Sequence, residues 1–482
     1  MAYTDIREHL RQLEENHYLI RIKRPINKDT EMHPLVRLQF RGGIPADERK
    51  AFLFENVTDS RGKNYSTPVV VGALAASPKI YAIGMQCKEE EVAYKWQQAL
   101  YNLTPPVVVQ NGPAQEVVLT GDQLKQSGGL DELPIPISTP GWDNAPYTTC
   151  SVFVSKDPET GVYNLGNYRG QLKAPDRMGV YPIASSDLKQ HWVKCRERGE
   201  PLQVALVIGA PPIVYYAAVQ KIPPHISEYD VAGALAGEPI RLIRCKTIDL
   251  EVPAESEFVI EGIVPTDVLE PFGESHGHMN PRELCPFMQV TAITHRYNPV
   301  WVSFISQVTP AKSSVIKKVG YQPLFFDFLK NQIGIRSLVR IHMWEPLVNL
   351  RKMVVLQLKK PSQSETWRAL FAAANYNRGV GKIVIAVDED INPESSDALW
   401  WALCYRMQPD KDIQYISGRE KGHAPPFLDI ELNHADKDFQ VTQESAILIN
   451  AVLKEPFPPY LSLKKNTWKM PFKFGVNSVS LN

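Results

Sequence analysis

The chain has 482 residues, 44% hydrophobic and 22% charged, with 39 prolines and 28 glycines. This is an ordinary globular composition, long enough for two or three domains with cores of their own. Lys plus Arg equals Asp plus Glu at 53 each, so the bulk field that would favour a nucleic-acid or anionic-membrane partner is missing.

The start, Met1-Ala2-Tyr3-Thr4-Asp5, is polar and lacks an apolar h-region, and no apolar run approaches the ~18 residues of a bilayer span. Cys87, Cys150, Cys195, Cys245, Cys285 and Cys404 stand far apart without a CxxC pair. Neither a disulfide framework nor a paired-cysteine zinc site is expected. The expected home is reducing and cytoplasmic, with no membrane and no nucleic acid as partner.

Residues 4–15 read as an amphipathic helix, capped by Thr4 or Asp5, with Ile6, Leu10 and Leu13 at helical spacing. Strand signals at 51–54 and 68–73 and a helix at 89–100 complete a small α/β domain, residues 1–106. From 107 to 315 short strands divided by Pro and Gly predominate, with a helix over 187–198, which points to a barrel-like β domain. Residues 316–482 return to alternation: strand-like runs at 337–342, 354–358 and 382–387, helices at 364–374 and 396–406. That pattern predicts a largely parallel sheet. Trp400 and Trp401 read as core or subunit contact, and the tail after Phe457 as a flexible arm or oligomer contact. The fold class is therefore mixed α and β, with α/β domains flanking a β-rich middle.

Four stretches carry chemistry. Asn164 to Lys173, read as one strand, places Asn167, Arg169, Gln171 and Lys173 on one face, a set suited to an anion or to solvent. Ser186 can cap a helix whose first turn holds Asp187, and a helix N-terminus serves as a dipole partner or a phosphate site. Glu228 opens a short helix after Ser227, where a capping-region carboxylate is the plainer reading. Leu269 to His278 gathers Glu270, Glu274, His276 and His278 around Gly273, as a polar surface loop or a place for acid/base chemistry. No GxGxxG, P-loop or GxSxG elbow is present.

Taken in order, Asn164 to Arg169, Ser227 to Leu235, Pro271 to Gly277 and Asp388 to Asn392 resemble the UbiD-type decarboxylases. These use prenylated FMN to add or remove CO2 on aromatic and α,β-unsaturated acids. The resemblance implies a split β-barrel flavin domain in the middle, an oligomerising C-terminal domain, and a flavin prenyltransferase as supplier of the cofactor. Asn164 and Glu228 match metal ligands for Mn2+ on the cofactor phosphate, with K+ as a further ion. Arg169 matches the arginine that holds the substrate carboxylate, and Glu274 the acid that delivers a proton once CO2 has left. Asn167, Tyr168, Arg169 and Ser186 fall where the family contacts the flavin. Because strict alternation separates Asn164 from Arg169, a bulge or bend near Gly166 is expected.

Two positions depart from the family. Its third metal ligand, a His, is replaced by Ser186-Asp187, so Asp187 is the candidate ligand. Its partner acid, five residues before the proton donor, is here Leu269, and Glu270 is the nearest substitute. The implied activity is reversible, non-oxidative decarboxylation of an aromatic or α,β-unsaturated acid, by a homo-oligomer or within a larger complex. The alternatives are an enzyme of phenylphosphate or aryl-CoA type, or a catalytically silent scaffold of the same fold.

Overall fold

A computed structural model describes residues 4–182, 186–273, 283–305, 311–344, 352–377, 380–420 and 443–454. Helix Ile6–Glu15 forms as its pattern predicts: the Asp5 carboxylate accepts from the Glu8 N–H, and Ile6, Leu10 and Leu13 are buried. It covers a four-stranded sheet in the order Leu19–Ile22, Ala51–Phe54, Val69–Val71, Trp301–Ser303. The last of these strands comes from the middle of the sequence, and one hydrophobic core runs from Ile6 to Leu324.

The middle of the chain builds a nine-stranded sheet. Its path is Tyr163–Asn167, Val152–Lys156, Leu202–Ile208, Phe258–Val264, Phe287–His295, Arg177–Val180, Gly170–Ala174 and Tyr147–Thr148, with Val117–Thr120 also beside Phe287–His295. Every pairing in it is antiparallel. Strands Tyr163–Asn167 and Gly170–Ala174 are separated in sequence by Tyr168 and Arg169 alone, yet they lie first and seventh on the path. Only a sheet curled until its ends meet allows that, so the barrel-like expectation holds.

This corrects the reading of Asn164 to Lys173 as a single strand. The break falls at Tyr168-Arg169, not at Gly166, because there the chain crosses from one end of the sheet to the other. Gln171 and Lys173 still share a face, Gln171 donating to Asn144 and the Tyr147 hydroxyl and Lys173 to the Pro271 carbonyl.

The C-terminal sheet has five strands, in the order Leu338–Met343, Met353–Leu358, Ile383–Asp388, Gln443–Ala451, Ile413–Glu420. The inner two pairs are parallel and the outer two antiparallel, so the sheet is mixed rather than largely parallel: only its central three strands have the parallel order expected. Helix Gln363–Ala374 packs on one face of this sheet and Ser396–Tyr405 on the other. Trp400 and Trp401 are not core: they remain 66% and 37% exposed. Helix Lys312–Asp327 spans the two cores, giving Val315, Ile316 and Leu324 to the first and Tyr321 and Phe325 to the second. Among the described residues no helix is long and apolar enough to cross a membrane. The tail after Phe457 lies outside the described residues.

Candidate active site at the barrel seam

Where the sheet ends meet, side chains replace the missing ladder. The Asn167 amide accepts from the Ser151 N–H at 3.0 Å and donates to the Thr149 carbonyl at 3.1 Å. The Ser151 hydroxyl donates to the Tyr168 carbonyl, and the Gly170 N–H donates to the Thr148 hydroxyl. Asn167 therefore spends its side chain on closing the seam. Tyr168 folds its ring back over Gly166, where a Cβ would lie 2.3 Å from a ring carbon.

Asn164 and Glu228, matched to metal ligands, and Asp187, the candidate third, come together beside Tyr168. Glu228 opens helix Glu228–Ala236, capped by the Ser227 hydroxyl, and its carboxylate accepts from the Leu165 N–H at 2.8 Å. That bond holds it against the strand bearing Asn164. Burial pushes the Glu228 pKa up to about 8; the nearby charge of Asp187 adds to this, and backbone hydrogen bonds and Lys221 oppose it. The buried Asn164 amide nitrogen finds no hydrogen-bond partner among the described residues. Asp187 sits in the first turn of helix Asp187–Glu197, with Ser186 as its cap, and pairs with Lys221 at 2.7 Å. Burial first, then the charges of Asp187 and Glu228, raise the Tyr168 phenol.

Arg169 occupies the seam crossing, 8% exposed. Its guanidinium carbon lies 4.1 Å from the centre of the Tyr147 ring, and Nη2 lies 3.5 Å from the buried carboxylate of Asp143. His33 is fully buried between the hydroxyls of Ser138 and Ser303. Burial lowers its pKa, and the charges of Lys312, Arg37 and Arg169 lower it further. Lys312 is also fully buried, its ammonium in space left by the absent side chain of Gly72. Burial lowers the Lys312 pKa as well, so the guanidinium groups of Arg37 and Arg169 carry the positive charge on this side of the seam.

The acid stretch approaches from the other side. Strand Glu270–Phe272 pairs with Glu283–Cys285. Glu270 is tied to Arg177 at 2.6 Å, Lys173 donates to the Pro271 carbonyl, and the Tyr147 hydroxyl donates to the Gly273 carbonyl. Glu274, His276 and His278 lie outside the described residues.

Sequence reading missed Asp143, Tyr147, His33 and Lys312. Asp143 lies between Pro140 and Pro146 and Tyr147 opens the short strand after them, a stretch that carries no motif; His33 and Lys312 look like ordinary helix-start residues. Only the fold brings them to Arg169.

Asn164, Asp187 and Glu228 offer an amide and two carboxylates, oxygen donors that suit a hard divalent ion. Among the described residues no group of three His, Cys, Asp or Glu gathers as for a metal, so the amide is an essential part of any such site. A buried Glu228 carboxyl whose pKa burial raises is what a carboxylate ligand lacking its ion would show.

Fold and site together define a three-part α and β protein built on a half-barrel whose seam holds an oxygen-rich cluster beside a buried arginine. The chain belongs to the UbiD family. Residues 10–100, 107–308 and 315–426 match the N-terminal, Rift-related and C-terminal domain models of 3-octaprenyl-4-hydroxybenzoate carboxy-lyase. It is similar to the uncharacterized protein sll0936 of Synechocystis, at 29% identity over 85% of this chain and 83% of that one. Among solved structures it resembles the UbiD-class enzyme HmfF from Pelotomaculum thermopropionicum in complex with FMN, at 27% identity and a TM-score of 0.80, covering 94% of this chain and 95% of that one. An evolved dimeric form of HmfF in complex with prFMN gives 28% identity and a TM-score of 0.79, over 95% and 97% of the two chains.

Proposed function

We propose that this protein is a prenylated-FMN-dependent carboxy-lyase that removes CO2 from, or adds it to, an aromatic or α,β-unsaturated carboxylic acid. The observation that carries the reading is Glu228, a buried carboxylate bonded to the strand of Asn164, with Arg169 five residues further along the same passage. Asn164, Asp187 and Glu228 would hold Mn2+ on the cofactor phosphate, with K+ as a further ion. Tyr168 and Ser186 would border the flavin, and Asn167, whose amide closes the seam, would contribute through its backbone. Membership of the family and the likeness to HmfF bound to FMN and prFMN support the cofactor.

Loss of CO2 leaves an electron pair on an sp2 carbon, and the prenylated flavin supplies the electron sink when bound. The chain does the rest. Arg169, platformed on Tyr147, receives the substrate carboxylate in a fork. The neighbouring Arg37 guanidinium adds positive charge on the same side, while burial disfavours the charged forms of His33 and Lys312. Glu274 delivers the proton that replaces CO2, and Glu270, held by Arg177, is the candidate partner acid. A cytoplasmic homo-oligomer is the working form in this reading.

Coexpression with a flavin prenyltransferase, followed by cofactor mass and Mn2+ content, is the test. Stoichiometric prenylated FMN with Mn2+, both lost in Glu228→Ala, is the expected result. Purification without flavin under those conditions would replace the enzyme by a silent scaffold.

A further inference from the structure

We propose that Tyr147 is a positioning residue that sets the spacing between the substrate-carboxylate arginine and the acid stretch; this rests on the roles proposed for Arg169 and Glu274. Tyr147 is fully buried, and its two ends do different work. The ring face is the platform for Arg169, 4.1 Å from the guanidinium carbon. The hydroxyl, in the plane of the ring, shares its one proton between the Gly273 carbonyl and the Asn144 side-chain oxygen, while it accepts from Gln171 Nε2 at 2.7 Å. Gly273 is the residue before Glu274. A rigid phenol thus spans from the guanidinium to the peptide that leads into the acid.

The surroundings leave Tyr147 little freedom. Its backbone pairs with Gln171 in the sheet, and its ring meets Phe272 edge-on at 5.9 Å. Asp143 and Asn144, just before it in the chain, repeat the arrangement: Asp143 faces Arg169, and Asn144 borders Gly273, whose absent Cβ would lie 3.2 Å from the Asn144 amide nitrogen. Residues 143–147 therefore form one bracket touching both partners. A displacement of about 1 Å between reacting groups is enough to cost roughly a hundredfold in rate.

Two variants separate the two ends. Tyr147→Phe keeps the platform and removes the tether; Tyr147→Leu removes both. In cofactor-loaded protein, Tyr147→Phe should hold KM within about twofold while kcat falls roughly ten- to a hundredfold. Tyr147→Leu should lower kcat similarly and raise KM about tenfold. Flavin and Mn2+ content should match wild type in Tyr147→Phe, which separates this effect from failure of the cofactor site. Benzoate binding, measured by calorimetry on the same proteins, gives a readout independent of turnover: unchanged in Tyr147→Phe, about tenfold weaker in Tyr147→Leu. If the loaded wild type turns over no acid, the functional reading fails and benzoate binding still decides the platform. Equal kcat in wild type and Tyr147→Phe, or equal benzoate affinity in all three proteins, would overturn the proposal.

Discussion

Glu228 accepts a hydrogen bond from the backbone N–H of Leu165 at 2.8 Å, and so joins the start of a helix to the strand that carries Asn164. The bond favours the ionised carboxylate, but burial outweighs it, and the pKa rises to about 8 from an ordinary 4.5. Between those values the native chain keeps a proton that the unfolded chain has released. Stability of the metal-free protein must therefore fall as pH rises through this window, by on the order of a few kcal/mol. The melting temperature without metal should drop between pH 5 and pH 8, and Glu228→Gln should flatten that dependence. Mn2+ should restore stability at pH 8 in wild type and not in Glu228→Gln. A metal-free profile identical in the two proteins would mean that Glu228 is already ionised in the native chain.

Asp187 is the candidate metal ligand in place of the histidine that the resemblance led one to expect, and Lys221 pairs with it at 2.7 Å. Lys221 is partly exposed, so the pair by itself contributes little to stability. Its ammonium does compete with a divalent ion for the same carboxylate and repels that ion at short range. Lys221→Met should accordingly tighten Mn2+ binding, about threefold for an interaction of this strength, as read from the free-Mn2+ signal in electron paramagnetic resonance. Asp187→Asn should weaken it. Weaker Mn2+ binding in Lys221→Met would instead assign Lys221 to the phosphate side of the site.

The two kinds of information in this sequence were unequally readable. Local chemistry was plain: Asp5 and Ser186 cap the helices that follow them, as their place ahead of an apolar periodicity suggests, because a short polar side chain there is a local signal. Period-2 alternation was also visible, but it predicted one strand over Asn164 to Lys173, since alternation says nothing of strand order. The break at Tyr168-Arg169 exists only because the sheet curls, a consequence of pairings between residues far apart in sequence. For the same reason motif resemblance could nominate the proposed ligand set, whereas nothing local pointed to Tyr147 and Asp143: their partner Arg169 lies 22 and 26 residues away and meets them only at the seam.

Asp388 to Asn392 is one of the four stretches that carried the family resemblance, yet its observed chemistry is structural. Arg406, 3% exposed, donates to both carboxylate oxygens of Asp390 at 2.8 and 2.6 Å and to Asp388 at 3.0 Å. Asp388 also accepts from the Leu453 N–H at 2.7 Å, which ties the inner strand to the chain beyond Gln443–Ala451. Removing the guanidinium strands a half-buried carboxylate whose pKa burial already raises. Arg406→Ala should destabilise the C-terminal domain by about 3–5 kcal/mol, seen as a lower urea midpoint. Because these residues lie in the C-terminal core, flavin content of the folded protein should be unaffected. Retained stability in Arg406→Ala would show that water replaces the guanidinium there.

Gly166 is required by Tyr168 rather than by its own backbone. A Cβ at Gly166 would fall 2.3–2.5 Å from two ring carbons and the hydroxyl of Tyr168, distances that force the ring away. The ring is confined in turn, packed edge-on against Phe153 at 5.9 Å and facing Asp187 and Glu228. Gly166→Ala should therefore cost about 1–3 kcal/mol through overpacking and displace the phenol from the proposed flavin wall. Tyr168→Ala in the same chain removes the obstruction. The double variant should recover much of the stability lost in Gly166→Ala, measured by thermal unfolding, while its flavin content stays low in both backgrounds. Such a split, stability recovered and flavin not, would distinguish a ring that lines the cofactor from one that merely fills space; recovery of both would assign Tyr168 to packing alone.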